Sequence, residues 1–153
     1  MNKDLIEQHR FSLLTLNVFG NSLWRPARRL PALRREVDAL AVDVVCLQEV
    51  QSALAERTFT TGSAAYPHYA CETAARHPLG ALTTLSHWPI TSQHFIRYTN
   101  QGALFGPTVM DRMTRKGILC SELAYRGQQV IVLNTHILAN YGGNWQRRAQ
   151  AAQ

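Results

Sequence analysis

Alternation between apolar and polar positions divides this chain into a readable order of elements. Phe11 to Val18 is an apolar, β-prone run and predicts a first strand, with a loop through Gly20, Asn21 and Trp24 after it. From Pro26 to about Ala41 the period changes. Leu30, Leu33, Val37, Leu40 and Ala41 fall on one helical stripe, opened by a proline suited to a first turn. Asp43 to Leu47 is a short unbroken apolar run, as expected of a strand buried on both faces. This β-α-β order predicts parallel first and second strands, with a right-handed crossover as the default.

Further along, a short helix is expected within Ser52 to Thr58, then a loop around Gly62 and Pro67. Strands follow near His68 to Thr73, Gly80 to Ser86 and Gln93 to Tyr98, and Trp88-Pro89-Ile90 turns between two of them because proline removes a ladder donor. Thr99 to Arg115 holds two glycines and a proline and shows no period, the mark of a long and often functional loop. Gly117 to Tyr125 and Gln128 to Thr135 bracket Arg126-Gly127, a strong hairpin signal. After His136 comes a Gly-rich loop, 140–144, and Trp145 to Gln153 reads as the opening of a helix. There is no internal repeat, low-complexity tract or linker.

Composition narrows the class. At 153 residues, 46% apolar and 17% charged, the chain has the size and make-up of one globular domain. No apolar stretch approaches the ~20 residues that span a bilayer. The start, Met1 to Glu7, lacks the layout of a signal peptide, so the expected location is cytoplasmic. Cys46, Cys71 and Cys120 are widely spaced in strand-like surroundings and read as buried structural thiols rather than a zinc site. The net charge is +6, and Arg25, Arg28, Arg29, Arg34 and Arg35 crowd into eleven positions. That cluster suits an anionic partner, but most of it falls off the apolar stripe and reads first as a solvated helix face.

Three of the apolar runs end in a residue that phosphate chemistry uses. Leu13-Leu14-Thr15-Leu16 delivers Asn17, the second strand delivers Glu49, and Val130 to Thr135 delivers His136. Active sites of open α/β sheets gather at the carboxyl ends of strands. A carboxylate directly after a buried strand must be solvated, paired or metal-bound. Mg²⁺ is often held by one or two carboxylates together with substrate phosphate oxygens.

These residues resemble a known family. Leu14-Thr15-Leu16-Asn17, Leu47-Gln48-Glu49-Val50 and Leu133-Asn134-Thr135-His136-Ile137 look like the first, second and central motifs of the endonuclease/exonuclease/phosphatase superfamily, the DNase I-like fold. Leu85-Ser86-His87-Trp88-Pro89-Ile90 resembles that family's strand and turn ending in WPI. Lys116-Gly117 opening a strand, and the segment from Asn134 to Tyr141, are most similar to the sphingomyelinase-like branch. Inositol-phosphate phosphatases carry a related His-containing motif.

The resemblance implies a DNase I-like four-layer α/β sandwich and a metal-dependent phosphodiester or phosphoester hydrolase. It implies Glu49 as the ligand of a catalytic Mg²⁺, with Mn²⁺ as an alternative ion, and Asn17 as the residue orienting metal-bound phosphate or water. It implies that His136 contacts the scissile phosphate, stabilising the transition state or protonating the leaving oxygen. Asn134, Tyr141 and Lys116 are implied as substrate-binding residues, and Glu72 as a carboxylate steadying His136. The substrate would be a phospholipid-like or nucleic-acid phosphodiester.

Two of the family's motifs are missing. The family completes its site with an Asp-x-Asn motif and a later Asp-His pair, whereas the four aspartates here, Asp4, Asp38, Asp43 and Asp111, form neither. No acidic residue follows His136. The expectation is therefore about the first half of the fold, namely its first mixed sheet and outer helices with the inner face uncovered. Such a fragment would be inactive without its C-terminal half. The alternative is a non-catalytic half-domain acting as an interaction module.

Overall fold

A computed structural model describes residues 10–21, 25–73, 78–101, 109–138 and 145–153. Strand β1, Leu13–Asn17, lies parallel to β2, Val44–Gln48, with helix α1, Pro26–Leu40, between them in sequence. Helix α2, Ala53–Thr60, starts at Ser52, whose hydroxyl accepts from the Ala55 N–H as an N-cap. Strands β3, His68–Ala70, and β4, Thr83–Ser86, complete a first sheet of order β1-β2-β4-β3. Strand β5, Ile90–Arg97, then pairs antiparallel with β6, Gly117–Tyr125, and β6 with β7, Gln128–Thr135, in a second sheet. The predicted hairpin forms at Arg126-Gly127. Two further helices are described, α3 at Val109–Thr114 and α4 at Trp145–Ala151. Helix α3 falls inside the stretch expected as an irregular loop, of which residues 102–108 lie outside the described set.

The sheets pack face to face, and this departs from the expectation that only the first sheet is represented. Val44 and Cys46 of β2 point into an inter-sheet core with Leu123 and Val132, while Ala70 and Leu82 meet Leu119. On its other face the first sheet packs against α1 and α2 through Val45, Leu47, Leu30, Val37, Ala55 and Phe59. All five residues of β2 are consequently buried, as its unbroken apolar run predicted. The first sheet's inner face is covered over β2, β3 and β4, because the second sheet supplies the opposing layer, whereas Leu13 and Thr15 of β1 stay exposed on it.

The unpaired surface lies elsewhere. Strands β1 and β7 are edges, and Ile131 and Leu133 of β7 are 60% and 62% exposed. Ile96 of β5 is also exposed, and the register sets it beside Ile118 on the same outer face of the second sheet.

Helix α1 differs from its predicted stripe. Leu30 and Val37 are buried, but Leu40 is exposed, and Arg34 takes a place in the buried face. The Arg34 guanidinium donates to the Thr58 and Phe59 carbonyls at the end of α2 and pairs with Asp38 at 2.7 Å. Arg29 donates to the Val18 and Phe19 carbonyls at 2.7 and 2.5 Å. Two of the five clustered arginines thus bind backbone, whereas Arg25, Arg28 and Arg35 are exposed.

Candidate active site

The loops after β1 and β2 are laced together. Val18 N–H donates to the Gln48 carbonyl at 2.9 Å, and Gly20 N–H donates to the Glu49 carbonyl at 2.8 Å. A Cβ on Gly20 would sit 2.6 Å from the Glu49 oxygen and 2.8 Å from the Ala55 Cβ, so only glycine closes this contact. Ser52 adds a bond from its hydroxyl to the Gly20 carbonyl at 2.6 Å. Within this frame Glu49 has φ 58° and Phe19 φ 46°, left-handed conformations that cost about 1–3 kcal/mol each and cluster at functional sites.

The result is a direct pair. Asn17 Nδ2 donates to Glu49 Oε1 at 2.8 Å, and Asn17 Oδ1 accepts the Phe19 N–H at 3.0 Å. Both side chains stand at the solvent-facing edge, with Asn17 exposed and Glu49 half-buried. Among the described residues no three His, Cys, Asp or Glu side chains gather into a metal cage. One carboxylate beside one amide is a donor set of hard oxygens. It fits an ion held largely by water and substrate oxygens.

The second sheet reaches the same edge through Asn134. Its Nδ2 donates to the Leu47 and Thr83 carbonyls, both at 3.1 Å, and its Oδ1 accepts from Gln48 Nε2 at 2.9 Å. Asn134 is 1% exposed, and its amide ties β7 to β2 and β4. His136 follows Asn134 by two positions and Glu49 follows Gln48 by one, so the inter-sheet bond brings imidazole and carboxylate to one rim. Gln48, missed as a site element, was signalled in the sequence by an amide inside an otherwise apolar buried strand.

His136 is half-buried, and its Nδ1 lies 3.1 Å from Lys116 Nζ. Lys116 is itself buried, at 2% exposure. Glu72 is turned elsewhere, with its Oε1 accepting the Phe95 N–H at 2.7 Å. At His136 Nδ1 stands Lys116, whereas Glu72 holds the β5 backbone. Tyr141 lies outside the described residues.

Two packed sheets flanked by helices, with an amide, a carboxylate and an imidazole at the strand ends, have the DNase I-like architecture of phosphoester-cleaving proteins. The sequence matches the Endonuclease/Exonuclease/phosphatase family over residues 14–150, and the chain belongs to that family. Among solved structures it is similar to sphingomyelinase C from Streptomyces griseocarneus, at 23% identity and a TM-score of 0.68 over 92% of this chain and 54% of that one. It is similar to a Staphylococcus aureus beta toxin double mutant with bound magnesium ions, at 16% identity and a TM-score of 0.69 over 82% and 49%. A third similarity is to D. rerio TDP2 complexed with a single-strand DNA product, at 14% identity and a TM-score of 0.74 over 93% and 52%. The chain spans about half the length of these structures. A comparison with curated protein sequences finds no match.

Proposed function

We propose that these residues form the N-terminal part of a Mg²⁺-dependent phosphodiesterase domain. The observation that carries this reading is the Asn17–Glu49 pair, set on a strained, cross-braced loop at the rim that His136 shares. A neighbour with bound magnesium and another with a DNA product support the metal and the phosphodiester class.

In this reading Glu49 holds the ion and Asn17 fixes the carboxylate's orientation, while His136 contacts the phosphoryl group. The ion would supply Lewis-acid polarisation of a phosphoryl oxygen. The chain lacks the Asp-His pair that would activate water. General-base help is worth ~10²–10⁴ in rate, so residues 1–153 alone would be slower by that order. The missing groups would come from a C-terminal half continuing both sheets beyond the β1 and β7 edges. A phospholipid-like substrate is favoured by the sphingomyelinase likeness, with nucleic acid as the competing substrate.

The test is hydrolysis of sphingomyelin and of single-stranded DNA by the natural gene product in Mg²⁺, with and without chelator, beside Glu49→Ala. Turnover that needs the ion and falls by roughly 10³-fold in the variant, the size of a lost Lewis acid, supports the proposal. Turnover indifferent to chelation and to Glu49→Ala overturns it. A folded protein that turns over neither substrate and binds a protein partner favours the interaction-module alternative.

A further inference from the structure

In the loop 18–20, beside the Asn17–Glu49 pair, every backbone polar group has a partner. Val18 N–H and Gly20 N–H donate to the Gln48 and Glu49 carbonyls, Phe19 N–H donates to Asn17 Oδ1, and the Gly20 carbonyl accepts from Ser52. The other two groups, the Val18 and Phe19 carbonyls, are held by a single side chain from outside this frame. Arg29 Nη1 donates to the first at 2.7 Å and Nη2 to the second at 2.5 Å. The same guanidinium lies 5.9 Å from the centre of the Phe19 ring. Arg29 reaches the loop because Pro26 opens α1 and Arg29 closes its first turn, its N–H donating to the Arg25 carbonyl at 3.2 Å. Helical side chains lean toward the helix N-terminus, and here that end adjoins the end of β1. A cation in a first turn opposes the helix dipole, and α1 has neither an acidic residue there nor a side-chain cap to offset it. A residue set against its local preference and bonded to another element marks a tertiary task.

From this geometry we infer that Arg29 is a positioning residue, which orients the Asn17–Glu49 pair toward its ion by bracing the loop between them. A peptide unit is rigid, so holding its carbonyl also holds its N–H. The unit joining Val18 to Phe19 gives its carbonyl to Arg29 and its N–H to Asn17 Oδ1. With Oδ1 taken by a donor, Asn17 turns Nδ2 to Glu49 Oε1 at 2.8 Å. The unit joining Phe19 to Gly20 gives its carbonyl to Arg29 and its N–H to the Glu49 carbonyl. One guanidinium therefore sets both members of the pair, the first through its amide and the second through its backbone. Left-handed backbone at Phe19 and Glu49 persists only where the surroundings over-determine it, and the brace supplies part of that constraint. Lysine is no substitute, because a point ammonium lacks the planar fork that spans two carbonyls. The consequence for the ion rests on the hydrolase reading above, whereas the brace itself does not.

The experiment is Mn²⁺ binding to the natural gene product, read by EPR of the free ion, in wild type, Arg29→Met, Arg29→Lys, Asn17→Ala and the Arg29→Met/Asn17→Ala double variant. Beside it, metal-free protein labelled with ¹⁵N-asparagine reports the Asn17 carboxamide by NMR. Arg29→Met should weaken Mn²⁺ binding roughly 10-fold, the low end for a residue acting behind a metal ligand, and Arg29→Lys should recover only part of that. Because Arg29 acts through Asn17, the loss in the double variant should fall short of the product of the two single losses. The wild-type carboxamide is expected as one sharp, slowly exchanging pair of signals, which moves toward free-asparagine values in Arg29→Met. Wild-type Mn²⁺ affinity in a folded Arg29→Met overturns the inference, and so do losses that multiply in full. If Arg29→Met does not fold, Arg29→Lys decides, and wild-type affinity in it overturns the inference. A gene product that binds no Mn²⁺ overturns the hydrolase reading and the consequence for the ion, and the Asn17 signals then decide the brace alone.

Discussion

Asp43 shows how one carboxylate organises the end of the sandwich away from the site. Burial alone pushes its carboxyl up, but the Ser12 hydroxyl, the Trp88 indole N–H, the Ser12 backbone N–H and the Arg126 charge together hold it below its ordinary 3.8. The three bonds run at 2.7, 2.7 and 2.8 Å. Because the folded-state value is depressed, this contribution to stability is complete above about pH 4 and lost as pH falls through the folded value. Urea midpoints measured between pH 2.5 and 6 should therefore show an acid limb that Asp43→Asn flattens. An equal slope in both proteins would sink the assignment. Cys46 is the complementary case. Burial drives its thiol up to about 11 despite the Thr84 hydroxyl, which lowers it, so it should resist thiol reagents at pH 8 until the chain is unfolded. Rapid labelling of folded protein at Cys46, read by peptide mass mapping, would contradict this.

At the scale of elements, polar groups decide how the pieces join. Asn134 holds β7 against β2 and β4 through three bonds in a buried layer. Replacing it with leucine leaves two carbonyls and the Gln48 amide without that partner. Asn134→Leu should cost about 2–4 kcal/mol, with chemical denaturation as the check. Arg34 performs a similar task between α1 and α2, where it binds the last carbonyls of α2. Arg34→Met keeps the apolar stem but should cost about 2–3 kcal/mol, as expected for hydrogen bonds to a charged group. A loss under 0.5 kcal/mol would show that water replaces the guanidinium without penalty. The sequence pattern placed both helices correctly but assigned the arginines to solvent. Periodicity sorts positions by polarity, and Arg34 is a polar residue whose Nε and Nη1 find partners in Asp38 and in the Thr58 and Phe59 carbonyls.

At the scale of the molecule, the β1 and β7 edges, two of four edge strands, and an apolar outer face remain open. Ile131 and Leu133 stand beyond half exposure on β7, beside Cys120 and Glu122 of β6 in the register. Unpaired edges and exposed apolar faces drive association. The 153-residue chain should self-associate in sedimentation velocity at micromolar concentration, and Leu133→Lys should shift it toward monomer. A monodisperse wild-type monomer would show that this face tolerates water.

The order and type of nearly every described element followed from the sequence alone, because strand and helix periods and turn residues are local properties. So did the three residues at the strand ends, since each closes an apolar run. Tertiary structure decided the rest. That the hairpin 117–135 covers most of the first sheet, rather than leaving it bare, depends on contacts between residues some eighty positions apart, such as Gln48 with Asn134. That Lys116 rather than Glu72 stands at His136 Nδ1 depends on where β6 begins. Gly117, with room only for hydrogen, sets that start, which the one-dimensional pattern of apolar and polar residues does not record.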